Sequence, residues 1–259
     1  VRRSFVLTCL MIPLAGCAPA TPQAPVPVAA PSPVATPAAP PPAAIPTPSA
    51  PVTGPVALCG RGTVQRTADG RLFHHFPYPD TAASTLIDAP PALGASCKVH
   101  PAMLPDLTRL LAAADAYPVV AGTVRAVSCH RSVALQQLTF CGGIGPDGSG
   151  SFAERSWASA PPGFSEHSTG YVIDFGSATA PACDADACFG ATPTGRWLRA
   201  NAARFGFEMS FPAGNKQQVK WEPWHWRWVG TTASEAGTVP ARTMFAKARA
   251  RFPAEPKVD

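Results

Sequence analysis

From Ala18 to about Val56 the chain runs almost entirely in Pro, Ala, Val, Thr and Ser, without one charged residue. Its prolines withhold backbone donors, and it has few large apolar side chains to bury. Extended polyproline II is therefore favoured over any packed element. This confines folding to the downstream residues, about 57–250, a length suited to one domain with its own core. At about 3.1 Å per residue the run itself can serve as a tether on the order of 100 Å long.

Ahead of this run, Arg2 and Arg3 precede a short apolar stretch, Phe5 to Leu14, which is too short for a membrane-spanning helix. It ends in Leu14-Ala15-Gly16-Cys17 and is similar to a bacterial lipoprotein signal, with cleavage before Cys17 and lipid on the Cys17 sulfur. The expected organisation is a signal over 1–16, a lipid-anchored tether over 17–56, a folded domain over 57–250 and a tail over 251–259. The expected location is the periplasmic face of a bacterial envelope, with Ala18 after the Cys favouring the outer membrane. A formal charge of +5 with no Lys/Arg-rich run leaves no nucleic-acid footprint. A monomer is expected.

Of the eight cysteines, Cys9 falls in the signal and Cys17 is the expected lipid site. Cys59, Cys97, Cys129, Cys141, Cys183 and Cys188 remain, an even set that argues for disulfides in an exported domain. The short Cys183–Cys188 loop is the favoured pair. A straight helix between Cys129 and Cys141 would hold them beyond disulfide reach. A structural metal cluster is the rival reading, but no paired C-x-x-C supports it.

Apolar spacing predicts a helix over 101–116 with Leu104, Leu107, Leu111 and Ala114 on one face. A strand is predicted over 119–128, then a helix capped by Ser132 and ended at Gly142-Gly143, and a loop over 142–151. Further strands are predicted at 171–175, 207–211 and 224–229, with a helix from a Thr194 cap to Phe205 and a stop at Gly206. Without regular βαβ units this mixture predicts an α+β domain: a central antiparallel sheet with flanking helices.

Two segments carry chemistry: Ser-Glu-His-Ser-Thr-Gly-Tyr-Val-Ile-Asp at 165–174 and Trp-Glu-Pro-Trp-His-Trp-Arg-Trp at 221–228. His167, Asp174 and His225 can hold one Zn²⁺ and leave a fourth position open for water, the arrangement of a hydrolytic site. Glu222 is then free to act as general base. In a regular strand Glu222 and His225 would face opposite ways, so Pro223 must bend the chain to bring them together. Beyond it His225 and Arg227 share one face, and Trp224, Trp226 and Trp228 the other. Ser165 can donate to a substrate oxygen or serve only as a turn residue. His74, His75 and His100 read as surface residues, and His130 as a packing or hydrogen-bonding residue.

Together these segments resemble the VanY-type D-alanyl-D-alanine carboxypeptidases, zinc peptidases of the group that includes lysostaphin-like enzymes and hedgehog domains, over roughly residues 100–230. Ser128-Cys129-His130-Arg131-Ser132 with Gln136 is similar to that family's S-G-Y-R-S followed by Gln. The resemblance implies a hedgehog/D-Ala-D-Ala-peptidase-like fold, zinc on His167, Asp174 and His225, and Glu222 as the base. It also implies that Arg131 binds the terminal carboxylate of a peptidoglycan stem peptide, supported by Ser132 and Gln136. A planar guanidinium suits that grip. Cys129 and His130 stand where the pattern has Gly and Tyr, which alters the pocket wall. The rivals are an L,D-carboxypeptidase or cross-link endopeptidase of the same zinc class, and a non-catalytic wall-binding lipoprotein.

Overall fold

The computed structural model describes residues 54–94 and 96–259. Cys17 and nearly all of the Pro/Ala-rich run lie outside them. Pro55 and Val56, assigned by composition to the tether, instead open a hairpin of β1 (Pro55–Leu58) and β2 (Gly62–Gln65). The short pair β3 (Ile87–Asp88) and β4 (Lys98–Val99) comes next, then α1 (Leu104–Asp115), β5 (Val124–Ser128), α2 (Val133–Gly142) and α3 (Phe152–Ser156). The remainder is β6 (Val172–Ser177), α4 (Pro193–Asn201), β7 (Phe207–Met209), β8 (His225–Trp228) and α5 (Thr238–Arg251).

The central sheet has the order β5-β6-β8-β7, antiparallel throughout. β6 is buried on both faces, so its Val-Ile-Asp-Phe run shows no polar alternation. Its apolar residues Val172, Ile173 and Phe175 meet Phe207, Trp226 and Trp228 in the main core. α1 packs there through Leu107, Leu110, Leu111 and Ala114. Leu110, not Leu104, completes that face. Trp228 Nε1 donates to buried Asp106 of α1 at 2.8 Å, satisfying both polar atoms inside the core.

Several predicted boundaries move for local reasons. Residues 118–123 form turns, so β5 starts only at Val124. The α4 cap is Thr192, whose Oγ1 accepts from Gly195 N at 2.9 Å, and Pro193 takes the first helical position, where its missing N–H costs nothing. α5 carries Ala241, Phe245 and Ala248 into the core; no periodic apolar signal marked it in the sequence. Residues 252–259, read as a tail, pack on the body through Phe252, Ala254 and Val258.

The disulfides are Cys59–Cys141, Cys97–Cys129 and Cys183–Cys188. The short-loop pair is the one favoured by spacing. Cys59–Cys141 ties the β1–β2 hairpin to the end of α2 beside a smaller cluster of Leu58, Leu72, Phe140 and Phe164.

Candidate active site

Strand register explains why the central residues meet. Asp174 pairs directly with His225 across β6 and β8, so their side chains emerge on the same face. On the other side of β6 Asp174 stands opposite Ser128, just past a register shift in β5. His167 arrives from a short 3₁₀ turn, Glu166–Thr169, capped by Ser165 and closed by Gly170. Gly170 sits at φ +74°, and a Cβ there would lie 2.7 Å from Leu86. Only glycine fits both demands.

The three candidate ligand side chains are buried, and their donor atoms lie within 4.8 Å of one another. His167 Nε2 is 3.1 Å from Asp174 Oδ2, and His225 Nδ1 is 3.0 Å from Asp174 Oδ1. Each imidazole is held by its far nitrogen. His167 Nδ1 donates to the Cys129 carbonyl at 2.7 Å, and His225 Nε2 to Glu166 Oε2 at 3.0 Å. A carbonyl or carboxylate only accepts, so these bonds keep a proton on His167 Nδ1 and His225 Nε2 and turn His167 Nε2 and His225 Nδ1 toward Asp174. Two nitrogens and a carboxylate so arranged match a zinc donor set with a position left for water or substrate.

The local field favours a cation. Asp174 and Glu166 raise the His225 imidazole to about 10 despite its burial. Asp174 stays ionised against its burial because His167 and His225 hold its carboxyl well below the usual range. A divalent ion on these atoms would answer the same charge demand that the proton on His225 answers.

Glu222 comes to the site through the turn foreseen at Pro223: His225 N donates to the Glu222 carbonyl at 3.1 Å, and Glu222 N to Phe211 O at 3.0 Å. Its Oε2 is 3.8 Å from His225 Nδ1. Burial pushes its carboxyl up to about 7; Asp174 adds to the shift, while His225, Lys220 and Arg131 oppose it. A carboxyl poised near neutrality suits a group that must take and return a proton.

Arg131 faces the same cleft of about 180 Å³, whose lining includes Ser165, His167, Asp174, Glu222, Trp224 and His225. Its Nε donates to Gln136 Oε1 at 2.6 Å and its Nη1 to Ser128 Oγ at 3.3 Å. Gln136 and Ser132, predicted to touch substrate, do not line the cleft. Gln136 is fully buried, with its amide nitrogen on Ser159 Oγ and Ala160 O, and so braces Arg131. Ser132 is the α2 cap, its Oγ accepting from Leu135 N at 3.2 Å. Ser165 does line the cleft, and its hydroxyl oxygen also accepts from His167 N at 3.4 Å. His130 lies 3.4 Å from Asp80.

Two residues were missed. His75, read as a surface residue, is buried, lines the cleft and donates Nε2 to Ser156 O at 2.8 Å. Glu166 is a buried carboxylate that takes His225 Nε2, Arg227 Nη1 at 2.8 Å and Ser210 Oγ at 2.6 Å. Burial works against its charge, yet Arg227 and His225 hold its carboxyl well below the ordinary range. The signal for it lay in β8: His225 and Arg227 on one buried face require an acid opposite them.

The family model for VanY, D-alanyl-D-alanine carboxypeptidase, matches residues 96–231, which contain the His167–Asp174–His225 triad, Glu166, Glu222, Arg131 and Ser165 but not His75. The chain is 35% identical over 113 residues to YodJ of Bacillus subtilis (strain 168), covering 42% of this chain and 40% of that one. It is 31% identical over 137 residues to a D-alanyl-D-alanine carboxypeptidase of Enterococcus faecalis (strain ATCC 700802 / V583), covering 51% and 47%. The match thus spans less than half the length of each. A solved structure of the LdcB LD-carboxypeptidase shares the fold, with a TM-score of 0.54 and 24% identity over 68% of this chain and 82% of that one.

Proposed function

This chain belongs to the VanY D-alanyl-D-alanine carboxypeptidase family, and we propose that it is a zinc-dependent peptidase removing the terminal D-alanine from peptidoglycan stem peptides. One observation carries the reading. Arg131, braced by Gln136 and Ser128, opens into the same cleft as the His167–Asp174–His225 triad and Glu222. A cation for a free carboxylate beside a hydrolytic centre sets the cut at a chain end.

A zinc ion on the triad would act as a Lewis acid, acidifying the attacking water and polarising the scissile carbonyl. Glu222 takes the proton from that water and returns it to the leaving D-alanine nitrogen. Arg131 holds the carboxylate of the leaving residue and so fixes which peptide bond reaches Glu222. Ser165 is placed to donate its hydroxyl proton to a substrate oxygen. His225 and His167 stay oriented through Glu166 and the Cys129 carbonyl.

The Arg131 grip serves a D,D- and an L,D-carboxypeptidase alike, whereas a cross-link endopeptidase has no free carboxylate to offer it. The D-alanyl-D-alanine activity in the name of the Enterococcus faecalis relative favours the first. Placement in the envelope, by lipid on Cys17 and the Pro/Ala-rich tether, belongs to the same proposal. It is supported by the Leu14–Cys17 motif and by three disulfides, which suit an oxidising compartment. The test is to incubate zinc-loaded protein with stem pentapeptide, tetrapeptide and cross-linked dimer and identify products by mass. Free D-alanine from pentapeptide alone is expected. Cleavage of tetrapeptide alone would move the reading to the L,D-activity, and no product from any would end the peptidase reading.

A further inference from the structure

A second arginine faces the cleft with no acid to answer it. Arg155, on α3, lines the same cleft as Arg131, and among the described residues neither guanidinium has a carboxylate within ion-pair distance. The position of Arg155 is built. Its Nη2 donates to the Thr139 carbonyl at 2.9 Å, one helical turn beyond Gln136, which braces Arg131. Its guanidinium lies against Gly143, where any Cβ would collide with it. Its Nε is buried and without a partner. Burial lowers its proton affinity, and the charge of Arg131 lowers it further, as two like charges near one another must. Asp174 and Glu222 offset the charge of Arg131, but among the described residues no acid offsets that of Arg155, so an anion bound in the cleft would be favoured beside it.

We propose that Arg155 is the second arm of the carboxylate grip: the C-terminal carboxylate of a D-alanyl peptide is held between Arg131 and Arg155. The identity of the anion rests on the carboxypeptidase reading; the placement of both arginines in one cleft does not. Arg131 spends two of its five N–H donors on its own bracing, and Arg155 would add its own to the three that remain. Lys220, the other cation of the cleft, lies 4.9 Å over the Trp224 ring and near Glu222, toward the hydrolytic end.

Equilibrium binding separates this from turnover. An N-acylated D-alanyl-D-alanine and its C-terminal amide are titrated into zinc-loaded full-length Glu222→Gln protein, with Arg155 intact, Arg155→Met or Arg155→Lys. The acid is expected to bind tighter than the amide. Arg155→Met should weaken the acid by about tenfold or more, the scale of a lost hydrogen bond to a charged group, and leave the amide within about twofold. Arg155→Lys should keep part of the preference, and its unfolding temperature checks that the fold survives. Equal losses on acid and amide, no loss on the acid, or no binding of either probe would overturn the proposal. Protein with an intact Glu222 that prefers the acid through Arg155 yet releases no D-alanine would instead retire the peptidase reading alone.

Discussion

Glu166 and Glu222 show how two buried carboxylates near one imidazole come to opposite tasks. Arg227 and Ser210 satisfy Glu166 and keep it ionised, so it can only accept and hold His225. Glu222 has no such partner, and burial raises it to about 7. Glu222→Gln should therefore keep its zinc, measured by metal content, while turnover falls by about 10²–10⁴; unchanged turnover would remove Glu222 from the role of base. Glu166→Gln should do the reverse of that variant's metal result, weakening zinc by roughly 10–100-fold in competition with a chelator. Gln is the informative change, since its amide oxygen keeps an acceptor beside His225 and Arg227, whereas Ala would remove both charge and acceptor, at a cost of about 3–5 kcal/mol to the fold. A third expectation belongs to His75. Burial lowers its imidazole to about 4, with His74 and His225 adding to the shift and Ser156 and Glu166 opposing it. Between about 6.5 and about 4 the unfolded chain thus binds a proton that the folded one refuses, so stability falls as pH drops through that window. His75→Gln should flatten this slope by on the order of 2–3 kcal/mol in urea unfolding across the window, and an unaltered slope would contradict it.

At the scale of elements, the turn after β5 does most to join the candidate metal ligands to Arg131. Cys129 gives its carbonyl to His167 and its sulfur to Cys97 beside β4, and Arg131 comes two residues later with its N–H on the His167 carbonyl at 3.3 Å. Where the family pattern has Gly and Tyr, this chain has a covalent tie. Replacing Cys97 and Cys129 together by Ser should cost about 2–4 kcal/mol in denaturant unfolding and raise KM for pentapeptide, since Arg131 would be held less firmly. A variant with unchanged KM would make the tie a matter of stability alone. Elements were legible where a local rule decided them: the Ser132 cap, the Gly206 stop and the Trp alternation in β8. They were not where the partner was distant in sequence. α5 shows no apolar period because its few buried residues sit among arginines, two of which, Arg242 and Arg249, bond to Val229 O and Glu208.

For the whole molecule, one polar chain runs from the site to the C-terminal segment. His225 rests on Glu166, Glu166 on Arg227, Arg227 on Glu208 at 2.7 Å, and Glu208 takes both Arg249 of α5 and the Val258 N–H. A segment read as a tail is thus packed beneath the far end of the ligand network. Residue types and a resemblance pointed to His167, Asp174, His225 and Glu222, and the fold brings these four together. Ser132 serves as the foreseen α2 cap and Gln136 as the support of Arg131, but neither lines the cleft as a substrate contact, and the spacing passed over Glu166 and His75, which reach the site from parts of the chain it did not connect. The claim that joins these scales is that one zinc on His167, Asp174 and His225 enables cleavage at a free carboxylate. Its most direct test is to strip the protein of metal and follow D-alanine release from stem pentapeptide as zinc is added back. Activity should be absent without zinc, saturate at one zinc per chain and fail to return in His225→Ala. Full release by the metal-free chain, or full recovery in His225→Ala, would contradict the account.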